Sequence, residues 1–95
     1  MNILIADDEA PARARLAALV NELAPTHRVI AQAANGEQVL AACDRLSVDL
    51  VLLDIRMPGM DGIEAALGLA ARAEPPAVVF ITAYDEHALA AFESN

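Results

Sequence analysis

Val51-Leu52-Leu53-Asp54-Ile55-Arg56-Met57-Pro58-Gly59-Met60-Asp61-Gly62 runs from an apolar stretch through one acid into a segment crowded with chain breakers. With Leu50 in front, the apolar residues are continuous rather than alternating, the pattern of a strand covered on both faces. Pro58, Gly59 and Gly62 then mark a loop. Asp54 is therefore expected at the C-terminal end of a buried strand, where the loop begins.

The same arrangement recurs on either side. Residues 3–6 form a short apolar run that ends at Asp7 and Asp8. Leu16, Leu19, Val20 and Leu23 follow at helical spacing, with Pro11 where a first turn tolerates it and Pro25 just past the end. Residues 29–33 read as a second strand, closed by the turn signal Asn35-Gly36. Val39, Cys43 and Leu46, spaced i, i+4, i+7, define a second helix. Beyond the central loop, Ile63, Ala66, Leu67 and Ala70 define a third helix, residues 78–81 a fourth strand, and Ala88, Leu89 and Phe92 a short fourth helix. Strands and helices in strict alternation predict an α/β fold with a parallel sheet and helices on both faces. Ligands of such sheets gather outside the C-terminal strand ends, where strand order reverses.

Composition narrows the possibilities. The 95 residues make one domain, given roughly 100–200 residues per domain. Hydrophobic residues reach 57%, but many are Ala and aromatics are only 3%, so the core is built from small side chains and stability is expected to be marginal. The net charge is −8, from 14 acids against 6 bases, every base being Arg. A field of that sign repels phosphate backbones, which argues against direct nucleic-acid contact and favours a divalent cation or a basic partner surface. Cys43 is the one cysteine, so neither a disulfide framework nor a zinc spacing is available, as suits a reducing cytoplasm. It reads as a small buried hydrophobe. The N-terminus lacks a basic stretch, and no apolar run approaches the ~18 residues that cross a bilayer, so a soluble cytoplasmic location without membrane contact is expected.

The candidate chemistry lies at the strand ends: Asp7 and Asp8 after the first strand, Asp54 after the third, Thr82 after the fourth. Singly, each has an ordinary explanation: a helix cap, a turn, a β-branched strand residue. Together they are harder to dismiss. Two like charges about 4 Å apart repel by about 1 kcal/mol in water and about 4 kcal/mol at a protein-like effective dielectric. A hard divalent cation offsets that cost, and magnesium takes a few carboxylates while keeping waters that a phosphate oxygen can replace. The constellation therefore reads as carboxylate phosphorylation assisted by Mg2+.

Three segments, Ile3-Leu4-Ile5-Ala6-Asp7-Asp8-Glu9, the stretch quoted at the outset, and Phe80-Ile81-Thr82-Ala83-Tyr84, closely resemble the receiver domains of bacterial two-component response regulators. Residues 84–93 are similar to the subgroup whose receivers precede a LytTR-type DNA-binding domain. The resemblance implies a flavodoxin-like sheet of order 2-1-3-4 and a sensor histidine kinase as phosphoryl donor. It makes Asp54 the phosphoacceptor and Thr82 the switch hydroxyl. It gives the metal to Asp7, Asp8, Asp54 and the backbone carbonyl of Arg56, with Asp7 acting mainly through water. Pro58 and Gly59 would shape the loop over the site. Arg13 and Arg15 read as a solvated helix face, on a helix that also meets the kinase in this family.

The chain departs from the family pattern at one end. A complete receiver carries a fifth strand ending in a lysine and then a fifth helix. Lysine is absent here and the sequence stops at Asn95. The expectation is a receiver truncated before its last strand and helix, with its output domain lying elsewhere, and prone to self-association through the apolar fourth strand. No turnover beyond self-phosphorylation and dephosphorylation is expected. Two alternatives compete: a magnesium phosphotransferase of the haloacid-dehalogenase type, disfavoured because Arg56 stands where that family has a second acid, and a receiver-like dimerisation module that is not phosphorylated.

Overall fold

The computed structural model describes residues 1–23 and 25–81. Thr82 and the fourth helix expected around Ala88, Leu89 and Phe92 lie outside the described residues. Within them the order is β1 (Asn2–Ala6), α1 (Ala10–Leu23), β2 (Arg28–Ala33), α2 (Gly36–Arg45), β3 (Leu50–Leu53), α3 (Gly62–Ala70) and β4 (Ala77–Phe80). The strands form one parallel sheet of order β2-β1-β3-β4. The expected α/β class, flavodoxin-like topology and strand order are those observed.

Alternation along the strands divides the interior in two. Leu4 and Ala6 of β1 and Val51 and Leu53 of β3 face one way, where Val39 and Ala42 of α2 and Ala65 and Leu69 of α3 cover them. Ile3 and Ile5 face the other way, against Val20 of α1, with Leu50 and Leu52 partly buried beside them. The continuous apolar run of β3 is thus explained by covering on both faces, more complete on the α2–α3 side. Arg72 ties the end of α3 to α2: Nη1 meets Asp44 Oδ1 at 2.6 Å and Nη2 donates to the Leu40 carbonyl at 3.2 Å.

Three helical faces differ from their expected stripes. In α1, Val20 is buried and Leu16 packs beside it as expected, while Leu19 and Leu23 are exposed and Ala17 takes a place on the inward face. In α2, Val39 and Ala42 reach the core, and Leu46 is the C-terminal cap rather than part of the stripe. In α3 the expected face is inverted. Gly62, Ala65 and Leu69 are buried, whereas Ile63 and Leu67 are exposed and line an open apolar groove with Pro75, Pro76 and Phe80. Glu64 is the only polar residue of that helix, so periodicity had no polar face to exclude. Small residues decide the matter, since Gly62 and Ala65 let the helix approach the sheet closely.

Asn35-Gly36 is also not a reversing turn. Asn35 caps α2, its side-chain oxygen accepting from the Gln38 N–H at 2.9 Å, and Gly36 is the first helical residue. The same residue type serves both purposes, because a short side-chain acceptor satisfies free backbone donors in turns and at helix starts alike. Asp61 caps α3 in a capping box with Glu64, so the central loop passes directly into a helix.

Candidate metal centre

The register of the sheet brings the acids together. Ala6 of β1 pairs with Leu53 of β3, so the next residues, Asp7 and Asp54, leave the sheet side by side at its C-terminal edge. Their amides hold them there: Asp54 N–H donates to the Ala6 carbonyl at 2.9 Å and Asp7 N–H to the Ala33 carbonyl at 3.0 Å. One carboxylate oxygen from each of Asp7, Asp8 and Asp54 lies within 4.8 Å of the others. Asp8 is exposed and Asp7 half-buried, while Asp54 is only 8% exposed.

That placement burdens Asp54. Burial pushes its carboxyl above the ordinary aspartate range, and the neighbouring charge of Asp7 pushes it further. The Arg56 N–H, 3.4 Å from Asp54 Oδ1, pulls weakly in the opposite direction. A buried carboxylate beside two others gains from a compact +2 charge. The donor set is all oxygen, with an open side at Asp8, and it fits magnesium.

Other contacts shape the edge. Asp7 Oδ1 accepts from the Glu9 N–H at 2.9 Å, which folds the start of the β1–α1 connection. Arg13 donates through Nη1 to the Asp7 main-chain carbonyl at 2.7 Å, so it is engaged with the site rather than simply solvated. Gly62 packs against the backbone of Asp54: a Cβ there would stand 2.1 Å from the Asp54 carbonyl oxygen. Met57 is buried in the larger core cluster, anchoring the middle of the loop.

Asp7, Asp8 and Asp54 are therefore brought together as expected. Arg56 follows with its amide directed at Asp54. Ile81 N–H donates to the Leu53 carbonyl at 2.8 Å, and Thr82 lies outside the described residues. The contacts of Arg13, of Gly62, and of Gly36, whose N–H donates to the Met60 carbonyl at 3.0 Å, carry no signal in the sequence. Arg13 follows the acidic pair within one helical turn of α1, but a lone arginine there is far more often solvated. The glycines announced only chain breaks, not what they approach.

The family model of the response regulator receiver domain matches residues 3–94. The chain belongs to the response regulator receiver family. The likeness to known members is close along this whole receiver. It is 54% identical over 93 residues to the Positive alginate biosynthesis regulatory protein of Pseudomonas aeruginosa, covering 98% of the chain and 38% of that relative. The receiver thus spans well under half the length of that protein. Among solved structures, the response regulatory domain of mrkE from Klebsiella pneumoniae superposes with a TM-score of 0.81 at 35% identity, covering 98% of this chain and 75% of that one. A CheX–CheY–BeF3–Mg2+ complex from Borrelia burgdorferi superposes with a TM-score of 0.78 at 30% identity, covering 94% of the receiver and 66% of that chain. No helix among the described residues is long and apolar enough to cross a membrane.

Proposed function

We propose that this receiver takes a phosphoryl group from a sensor histidine kinase onto Asp54 and thereby controls an output domain, in the manner of a LytTR-type transcription regulator. The observation that carries the reading is the cluster of Asp7, Asp8 and Asp54 within 4.8 Å at the ends of the two interior parallel strands, with the least exposed of them at the end of β3. The relative crystallised with both Mg2+ and BeF3 adds support.

An Asp54 carboxylate oxygen attacks the phosphorus of the kinase phosphohistidine. The new O–P bond forms as the P–N bond breaks, and the imidazole leaves with the electron pair and takes up a proton. Magnesium, when bound, neutralises the acids and the incoming phosphoryl oxygens. Asp8 and Asp54 would hold it directly, Asp7 mainly through water, and the Arg56 carbonyl would complete the protein ligands. Burial strips water from Asp54 and fixes its direction of attack. Burial, and then the charge of Asp7, raise its affinity for a proton, so offsetting that charge favours the attacking carboxylate. Thr82 would donate its hydroxyl to a phosphoryl oxygen. The location is the cytoplasm, where the kinase presents its phosphohistidine, and this segment itself touches neither nucleic acid nor membrane.

Intact-mass measurement after incubation with magnesium and acetyl phosphate tests the reading. One phosphoryl adduct is expected, lost with chelator and absent in Asp54→Asn. An adduct that persists in Asp54→Asn would place the chemistry elsewhere.

A further inference from the structure

We infer that Gly36 is a positioning residue for the loop that follows Asp54, acting as a backbone latch on Met60. This inference rests on the reading of Asp7, Asp8 and Asp54 as a magnesium site.

The loop between β3 and α3 leaves Asp54 and returns to it. At its base, Gly62 N–H donates to the Ile55 carbonyl at 2.8 Å, and the missing Cβ of Gly62 allows contact with the Asp54 backbone. In the middle, Met57 is sunk into the core. Near its far end the loop is held from a different part of the chain: Gly36 N–H, in the first turn of α2, donates to the Met60 carbonyl at 3.0 Å. The four N-terminal amides of a helix have no partner within the helix, so this donor is free to bind the loop. The Asn35 cap, bonded to Gln38, sets the direction in which the first turn presents that amide.

Only glycine permits the approach. A Cβ on Gly36 would stand 2.7 Å from the Met60 carbonyl oxygen and 2.6 Å from Met60 Cγ. The Cγ contact can be relieved by a rotamer change, but those with the carbonyl oxygen and with Met60 Cβ, at 2.9 Å, can be relieved only by moving the loop backbone. Gly59, beside Met60, has a φ of 72°, a conformation that residues with a side chain disfavour, so the loop's turn there relies on a glycine as well. Arg56 lies between the base and this latch, and its amide faces Asp54 Oδ1. Displacing Met60 therefore shifts the segment that borders the metal ligands, although Gly36 touches none of them.

The test compares the full chain with Gly36→Ala and Met60→Ala. Magnesium affinity is read by titration calorimetry at a temperature where the metal-free proteins are folded, and the amide resonances of Arg56 and Met57 are read without metal. Gly36→Ala is expected to weaken magnesium binding about tenfold or more, as loss of support behind metal ligands does, and to move both resonances. Met60→Ala keeps the carbonyl and is expected to retain wild-type affinity. Wild-type affinity in Gly36→Ala, or an equal loss in Met60→Ala, overturns the latch. Should Gly36→Ala not fold, hydrogen exchange in the wild type decides: coupling is reciprocal, so saturating magnesium must raise protection of the Gly36 amide, and unchanged protection overturns the proposal. A wild type that binds no magnesium instead overturns the metal reading beneath it.

Discussion

Arg13 holds the main chain of Asp7, its Nη1 donating to the Asp7 carbonyl at 2.7 Å from one turn into α1. The contact joins the first helix to the acidic edge of the sheet through a charged donor and a backbone acceptor. Arg13→Ala should destabilise the chain by about 1.5 kcal/mol, the lower end of the range for hydrogen bonds made by charged groups, because the contact is only partly buried. Urea denaturation measures it. Arg15, exposed on the same helix, serves as the control, and Arg15→Ala should leave the midpoint unchanged.

Magnesium should stabilise the fold by binding the native state alone. At a hundredfold excess over Kd, linkage contributes about 2.7 kcal/mol. Thermal unfolding of the wild type with and without millimolar magnesium should show a higher midpoint with the metal. Asp8→Ala should remove the shift, and an equal shift in that variant would locate the ion elsewhere.

Stability without metal should depend on pH through Asp54. Burial, then the charge of Asp7, raise its native pKa above the unfolded value. The native state thus keeps a proton that the unfolded chain releases near pH 3.9. The stabilising effect of the protonated form is complete below about pH 3.9 and is lost as pH rises through the higher native value. At pH 7 in chelator, Asp54→Asn should therefore be the more stable protein, and its advantage should shrink as pH falls through that window. Added magnesium should reverse the order at pH 7. Denaturant midpoints across pH, with and without metal, check both signs.

Gly62→Ala places a Cβ 2.1 Å from the Asp54 carbonyl oxygen, too close for any rotamer to relieve. A loss of about 1–3 kcal/mol is expected, as for other overpacked sites. Gly68→Ala is the comparison, since its Cβ would meet only the Leu40 side chain, at 3.2 Å, and should cost much less. Chemical denaturation of the pair orders the two glycines.

Self-association should proceed through β4. Val79 and Phe80 are exposed on that strand, beside the open groove along α3, and neither a charge nor a proline interrupts residues 78–81. The net charge of −8 opposes association but is screened over about 8 Å at physiological ionic strength. Sedimentation at increasing salt should show a growing dimer fraction, suppressed by Val79→Lys. A monomer at all salt concentrations would show that the edge is protected.

The sequence by itself determined the order of strands and helices, the parallel sheet and the acids at its strand ends. Those features rest on local rules: apolar runs, breakers, and acids placed where a strand must stop. The family resemblance rested on the same segments. Which side of each helix faces inward was decided only by packing. Nearly every position of α3 is apolar, so the choice fell to Gly62 and Ala65, whose small size admits the sheet, and Ile63 and Leu67 were left outside. The mutual approach of Asp7, Asp8 and Asp54 likewise depends on the register that pairs Ala6 with Leu53. A shift of one residue would turn one carboxylate to the other face. The bonds from Arg13 to Asp7 and from Gly36 to Met60 came only with the folded chain. Their partners are backbone carbonyls, which every residue carries, so the letters of the sequence cannot announce them.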